Sequence, residues 1–357
     1  MNYDIKELKK IIKFTYQGVR KELQDNDTAC MRIYDRNLGV FPITVELYGP
    51  YAKIVEYGEE TLDSDAVIEA VSSMAYVQRE NIIYQYRKKR EGIEQHSKMA
   101  DENSIEPFWA KESGLLFKIN LETRIDTGLF LDHMPTRMMV REYADQLRIL
   151  NLFCYTGSFS VYAAAGGAKY IESVDLSNTY LSWAEENLSE NGFAGDMYPC
   201  IRADVKTFLT ERSSTGEKFD MIVMDPPSFS NSHNMEGTFD IQRDYIEYIT
   251  LALKHLTKKG ILIFSTNLTT FHFDSGRLPN TACENITPHT IPPGFSKKRK
   301  PHVCWVIRHS PEKAKKGRSP KQKPRSAQQR RGSAQKGRSS GNKSRPSRGE
   351  GNSRNRT

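Results

Sequence analysis

The stretch from Phe219 to Phe229 reads Phe-Asp-Met-Ile-Val-Met-Asp-Pro-Pro-Ser-Phe, an apolar run that ends on an acid and two prolines. Residues 219–224 are too apolar for a strand with one wet face, so they predict a strand covered on both sides, as in a parallel sheet. Two consecutive prolines cannot continue a hydrogen-bonded ladder, so the strand stops at Asp225. An acid, a serine and an aromatic ring are thereby left at the strand's carboxyl edge, where open α/β sheets bind ligands.

The surrounding sequence repeats this rhythm. Residues 148–153 are a continuous apolar strand, 158–165 a helix closed by Gly166-Gly167, and 170–174 the next strand. Ser177 caps a helix whose Leu181, Ala184 and Leu188 share a face, with Gly192 at its end. Further strands are expected at 197–201, 261–266 and 302–308, with a lead-in strand at 115–121. Tyr245, Ile249, Ala252, Leu253 and Leu256 mark one helix face. The fold class is therefore α/β, a doubly wound, Rossmann-like parallel sheet over residues 105–310.

Residues 1–104 read differently. A helix over 4–23 precedes strands at 29–34, 43–48 and 51–57, with Gly49-Pro50 as a turn. A helix over 64–76 and a strand at 81–86 complete a small α+β domain, followed by the basic run 87–90 and a polar connector at 91–104. Residues 311–357 carry almost no apolar side chains, and disorder is expected there. This tail holds 16 of the 52 Lys and Arg but only 2 of the 44 Asp and Glu, which leaves residues 1–310 with a net charge of −6. A polyanion partner is the natural inference from such asymmetry. The five scattered cysteines form no Cys-x-x-Cys pair and the eight histidines no His-Glu-x-x-His or His-x-His spacing. Neither a disulfide framework nor a metal is expected, and a reducing cytoplasm suits the chain. No apolar run approaches the roughly 20 residues of a membrane helix, and residues 1–10 lack a signal core.

Acids recur after successive strands. Gly157 lies in the turn after the first, and Asp175 follows the second, 18 residues on, where a carboxylate accepts from both hydroxyls of a ribose. Asp204 follows the third, either as an adenine acceptor or as a helix cap, and Asp225 follows the fourth. Gly157 itself reads equally as a packing turn. One glycine is too few to cradle a pyrophosphate, so S-adenosylmethionine, which has no phosphate, fits the loop better than a dinucleotide.

The residues from Asp126 to Asp244 resemble a known family, the guanine-N7 methyltransferase half of the bacterial fused 23S ribosomal RNA methyltransferase, among the class I S-adenosylmethionine-dependent methyltransferases. The likeness rests on Asp126-Thr127-Gly128-Leu129-Phe130-Leu131-Asp132-His133, on 151–160, on Val174-Asp175-Leu176-Ser177 and Trp183-Ala184-Glu185, on Asp225-Pro226-Pro227-Ser228-Phe229-Ser230-Asn231-Ser232, on 239–244 and on Pro301-His302-Val303-Cys304-Trp305. An Asp-Pro-Pro step at this place marks enzymes that methylate nitrogen on bases or amides. The resemblance implies that Thr127, Gly128, Phe130 and Asp132 form a loop over the methionine end of the cofactor. Asn151, Tyr155 and Gly157 would floor that pocket, Asp175 hold the ribose and Asp204 the adenine. Asp225, Pro226 and Ser228 would face the target base, and Phe229 either stacks on it or packs in the core. The chain departs from the family pattern at Met134, where an arginine is usual, although Arg137 keeps a second basic position. It also lacks the helix expected in 268–291, and the N2-methylating partner domain has no counterpart here.

The implied reaction is methyl transfer to guanine N7 of large-subunit ribosomal RNA, free or in a pre-ribosomal particle. N7 carries no proton, so alignment suffices and no general base is needed. The absence of a cysteine from 225–228 and 265–267 disfavours 5-methylcytosine chemistry. Arg87 to Arg90, Lys297 to Lys300 and the tail are candidate RNA contacts, or solvated charged faces. A transferase of the same fold acting on another RNA, a protein amide or a small molecule, and a noncatalytic RNA-binding protein, remain alternatives. Oligomeric state is not legible.

Overall fold

The computed structural model describes residues 4–23, 27–36, 41–58, 62–87, 105–121, 127–214, 216–230, 238–296 and 298–310. Residues 88–104, Asp126, Asn231, Ser232, Lys297 and the tail at 311–357 lie outside them.

The amphipathic helix α1 (Ile5–Leu23) lays Leu8, Ile12 and Val19 on a four-stranded sheet. Strands β1 (Cys30–Asp35), β2 (Ile43–Tyr48) and β3 (Tyr51–Tyr57) form an antiparallel meander, turned at Gly49 with φ 62°. Helix α2 (Ser64–Ala75) is capped by Asp63, whose carboxylate accepts from the Ala66 amide. It carries the chain across to β4 (Ile82–Arg87), parallel to β3. Ile33, Val45, Ile54, Val67 and Val71 close the core beneath the helices. Cys30 and Tyr48 point the other way and join the larger core, so this sheet is covered on both faces.

Strands β5 (Phe108–Glu112) and β6 (Leu115–Ile119) pair as a hairpin outside the main sheet. The sequence led us to expect one lead-in strand. β5 escapes periodicity because its inward residues are Ala110 and Glu112, one small and one charged.

After α3 (Met134–Tyr143), the chain runs through β7 (Arg148–Leu152), α4 (Ser158–Ala165), β8 (Tyr170–Asp175), α5 (Asn178–Glu190), β9 (Cys200–Arg202), α6 (Val205–Arg212) and β10 (Phe219–Met224). A two-residue pair, β11 (Phe229–Ser230) and β12 (Phe239–Asp240), precedes α7 (Ile241–Lys254), β13 (Leu256–Thr266), β14 (Thr281–Asn285), α8 (Thr287–Thr290) and β15 (Val303–His309). The seven-stranded sheet has the order β14-β15-β13-β10-β7-β8-β9. Ile149, Val223 and Ile263 face α3, α4 and α5, whereas Leu150, Ile222 and Phe264 face α6 and α7. The sheet is thus doubly wound as expected.

Four local expectations change. The last two strands pair antiparallel, β15 against β13 and β14 against β15, so among the described residues parallel pairing joins only five strands of this sheet, and β15 runs against the other six. β14 was missed because Thr-Ala-Cys-Glu-Asn has neither apolar alternation nor burial. Leu256 opens β13 rather than ending α7, and the ladder of β9 is irregular at 197–199 because Pro199 has a carbonyl to offer Ser173 but no N–H. Sequential strands diverge from β7, towards β8 on one side and β10 on the other. Their carboxyl ends therefore flank a topological switch point, the crevice where such sheets take ligands.

Candidate active site

Asp225 follows directly on β10, between the ends of β7 and β13. The pairing of Met224 with Phe264 puts Ser265 alongside, and its hydroxyl donates to Asp225 Oδ1 at 2.6 Å. His133, from the turn before α3, brings Nε2 to 3.4 Å from Asp225 Oδ2. The His133 ring stacks on His302 at 4.0 Å and 14°, and His302 Nδ1 bonds Asp132 Oδ2 at 2.8 Å. His302 Nε2 lies 2.9 Å from Thr290 Oγ1. A side chain from each of four distant segments is thus drawn into one line ending at Asp225.

Burial pushes His133 down to about 4, with the charge of His302 acting in the same direction, so its imidazole is neutral near pH 7. Its Nδ1 has no partner among the described residues, which places the proton on Nε2, facing Asp225. Asp132 is held well below the ordinary carboxylate range; burial opposes this, but the adjacent imidazoles and Arg32 outweigh it. Donor atoms of Asp132, His133 and His302 lie within 4.8 Å of one another. The stacked rings send their in-plane lone pairs along nearly parallel planes, so these do not converge on a cation, and the group is a hydrogen-bonded network.

The loop between β7 and α4 is strained. Phe153 (φ 56°), Tyr155 (φ 51°) and Gly157 (φ 71°) all adopt left-handed backbone, which costs the two aromatic residues of order 1 kcal/mol each or more. Such strain persists only where its surroundings enforce it. The Tyr155 amide donates to Asp175 Oδ2 at 3.0 Å, and the Ser177 amide to Oδ1 at 2.9 Å. The Leu176 amide bonds this carboxylate as well, so of about four acceptor positions on the two oxygens roughly one is left for a further donor. Burial raises the Asp175 pKa, against those backbone bonds. The Tyr155 hydroxyl accepts from the Gly128 amide at 3.0 Å, and Thr156 Oγ1 donates to the Gly128 carbonyl at 2.6 Å. The two loops are thereby laced together. An added Cβ on Gly128 would lie 2.4 Å from the Trp183 ring, and one on Gly157 2.7 Å from Ala184. Both glycines let loops press against α5, so the packing reading of Gly157 holds alongside any part in a pocket.

The other expected residues divide between an inner and an outer ring. Phe130 is 42% exposed and its ring lies 5.0 Å from Tyr155, at the mouth of the loops. Phe229 is 57% exposed, which removes the core reading for it. Pro226 is buried directly after Asp225, and Ser228 Oγ donates to Asn267 Oδ1 at 2.5 Å. Asn151 is buried, its amide donating to Ser160 at 2.9 Å between strand and helix. Thr127 is buried against Tyr48 at 3.0 Å, joining the N-terminal sheet to the loop. Asp204 caps α6 through the Thr207 amide, which donates to its Oδ1 at 2.9 Å. Arg137 is fully buried, paired with Glu112 and donating to the Phe130 carbonyl at 2.9 Å, so it is no surface basic group. A groove of about 440 Å³ lined by Lys118, Asn178, Ser182 and Trp183 runs outside these contacts and includes no neighbour of Asp225.

Sequence reasoning did not find His133, His302, Ser265 or Asn267 as site residues. Only the short strand-end signal Ser265-Thr266-Asn267, opposite Asp225 in register, could have suggested the last two.

The family model for S-adenosylmethionine-dependent methyltransferase matches residues 55–291. The chain is 42% identical over 292 residues to "Ribosomal RNA large subunit methyltransferase K" of Neisseria meningitidis serogroup B, covering 80% of this chain and 82% of that protein. It is 36% identical to "Ribosomal RNA large subunit methyltransferase K/L" of a Marinomonas species over 82% of this chain, but spans only 41% of that longer protein. A solved methyltransferase structure, SMU.776 complexed with SAH, superposes with a TM-score of 0.71 at 19% identity, covering 86% of this chain and 82% of that one, a likeness of fold. With a matching family model over 55–291 and a relative 42% identical over four-fifths of its length, this chain belongs to the S-adenosylmethionine-dependent methyltransferases, and S-adenosylmethionine is its cofactor.

Proposed function

We propose that the chain methylates N7 of a guanine in large-subunit ribosomal RNA. The observation that carries the RNA part of this reading is the 42% identity, over four-fifths of the chain, to a protein named for large-subunit ribosomal RNA; the choice of guanine N7 rests on the family resemblance and on the surroundings of Asp225. Ribosomal RNA as substrate implies a cytoplasmic setting. On this reading residues 1–104 and the tail at 311–357 serve RNA binding, and 105–310 the chemistry.

S-adenosylmethionine supplies a methyl group on a sulfonium when bound. Asp175 takes a ribose hydroxyl with the acceptor position its backbone bonds leave over, and Asp204 offers a carboxylate oxygen to the adenine amine. Gly128 and Phe130, with Asp132, Tyr155 and Gly157, wall the methionine end, while Thr127 and Asn151 hold those walls from beneath. Asp225, Pro226 and Ser228 line the entry of the target base, and the exposed Phe229 stacks on it. Extracting a base from a folded strand costs a few kcal/mol, which stacking offsets.

The surroundings of Asp225 favour N7 over an exocyclic amine. One oxygen accepts from Ser265 and the other faces the His133 N–H, an arrangement that suits an anion kept in place more than one taking up a proton. Accepting that methyl at N7, with the bonding pair staying on sulfur, would put positive charge on the purine. No proton leaves, and a fixed carboxylate stabilises that charge.

The test is transfer of labelled methyl to large-subunit RNA from cells lacking this gene, followed by nucleoside analysis. Label in N7-methylguanine is expected. Label in N2-methylguanine or a methyladenine, or none, would overturn the assignment.

A further inference from the structure

Residues 292–296 and 302 are held by buried contacts, and the cations at 298–300 are exposed. Gly294 lies so close to β1 that an added Cβ would fall 1.8 Å from the Arg32 carbonyl oxygen. The Phe295 ring sits 4.2 Å from the Arg32 guanidinium, and the Ser296 amide donates to Asp35 Oδ2 at 3.1 Å. Phe295 and Ser296 are both buried. Ser296 Oγ accepts from the Arg299 amide at 2.9 Å and turns the chain. At the far end His302 is buried in the network that reaches Asp225.

Between these anchors Lys298, Arg299 and Lys300 are exposed, and none has a carboxylate partner among the described residues. Arg36, at the end of β1, adds a fourth cation close by. Burial lowers its pKa, Tyr57 and Asp35 work against that, and Arg299 and Arg32 push the same way as burial. A merely solvated basic run needs no buried anchor on either side. Here two sets of buried contacts hold three like charges together, against their mutual repulsion, in a body whose net charge outside the tail is −6.

We propose that Lys298, Arg299 and Lys300, backed by Arg36, form a lip that grips the phosphates of an RNA strand whose target base enters at Asp225. The proposal rests on the RNA reading of the site. Lys300 is two residues from His302, which stacks on His133, and His133 touches Asp225, so the phosphates held belong to nucleotides flanking the target.

The test uses the full chain carrying Lys298→Ala, Arg299→Ala and Lys300→Ala together. Binding of a large-subunit RNA fragment is measured across salt concentrations, with S-adenosylhomocysteine binding measured by calorimetry. Three phosphate contacts on single-stranded RNA contribute about 2 to the slope of log affinity against log salt. A slope shallower by about 2, an affinity loss on the order of tenfold or more and an unchanged S-adenosylhomocysteine affinity are expected. The charge-keeping pair Lys298→Arg and Lys300→Arg should retain the parental slope. An unchanged slope in the triple variant overturns the proposal. An equal loss of S-adenosylhomocysteine affinity also overturns it, since that marks a structural role. If the parent chain fails to methylate the RNA while the slope difference persists, the substrate assignment falls and the lip stands.

Discussion

Arg137→Met removes a guanidinium that is itself fully buried and strands the equally buried Glu112. In the native chain Arg137 Nε and Nη2 meet Glu112 at 2.6 to 2.9 Å, and Nη1 donates to the Phe130 carbonyl. Breaking one side of a buried pair costs about 3–5 kcal/mol, chiefly through the uncompensated charge. At about 2–4 °C per kcal/mol for a unit of this size, melting at neutral pH should fall by about 6–20 °C. The cost depends on pH in a direction the structure sets. Burial already raises the Glu112 pKa even with Arg137 opposing it, and without Arg137 it rises further. A carboxyl whose folded pKa lies above its unfolded one favours the folded state below the unfolded value and loses that contribution as pH rises. The variant should therefore be least impaired near pH 4 and most impaired above neutrality. Adding Glu112→Gln removes the orphaned charge and keeps an acceptor for the Tyr162 hydroxyl, which lies 2.8 Å from Glu112. That double variant should recover most of the loss, yet bind S-adenosylhomocysteine more weakly than the parent because the Phe130 carbonyl has lost its anchor. Thermal melts from pH 4 to 8 decide the matter. A single variant melting within 2 °C of the parent at pH 7.5, or a glutamine that restores nothing, would refute the reasoning.

Gly128→Ala must fit a Cβ 2.4 Å from the Trp183 ring at φ 96°, and calorimetry should show S-adenosylhomocysteine affinity falling at least about tenfold through displacement of the loop. Asp225→Asn keeps the shape but not the charge; single-turnover methyl transfer should slow by about a hundredfold or more, while parental speed would remove Asp225 from the chemistry. His133, at about 4 against an ordinary 6.5, leaves the unfolded chain binding the extra proton between those values. Stability should rise with pH across that window by up to about 3 kcal/mol. Urea midpoints at pH 4.5 and 7 check this, and His133→Phe should flatten the difference.

Much of the fold was open to reading because its signals are short-range. Residues 219–224 are mostly apolar and end on Asp225 and two prolines, and Ile149, Leu150 and Leu152 give 148–152 an apolar centre that the turn at Gly157 follows. β5 hid because Glu112 occupies a core position that Arg137, 25 residues away, and the Tyr162 hydroxyl make tolerable. Arg137 in turn was legible only as a second basic position, since its burial depends on a hairpin the sequence did not announce. His302 and Asp132 are 170 residues apart, and no spacing rule links them.

The order of residues alone determined the alternation of strand and helix, the acids at the strand edges and hence the cofactor class, because periodicity and chain stops act within a few residues. Only the tertiary structure decided that Ser265 and His133 hold Asp225, that Asp204 caps a helix and that Arg137 is inside. Those outcomes depend on which distant segments meet where water is excluded, and there a charge or a lone pair must find its partner in space.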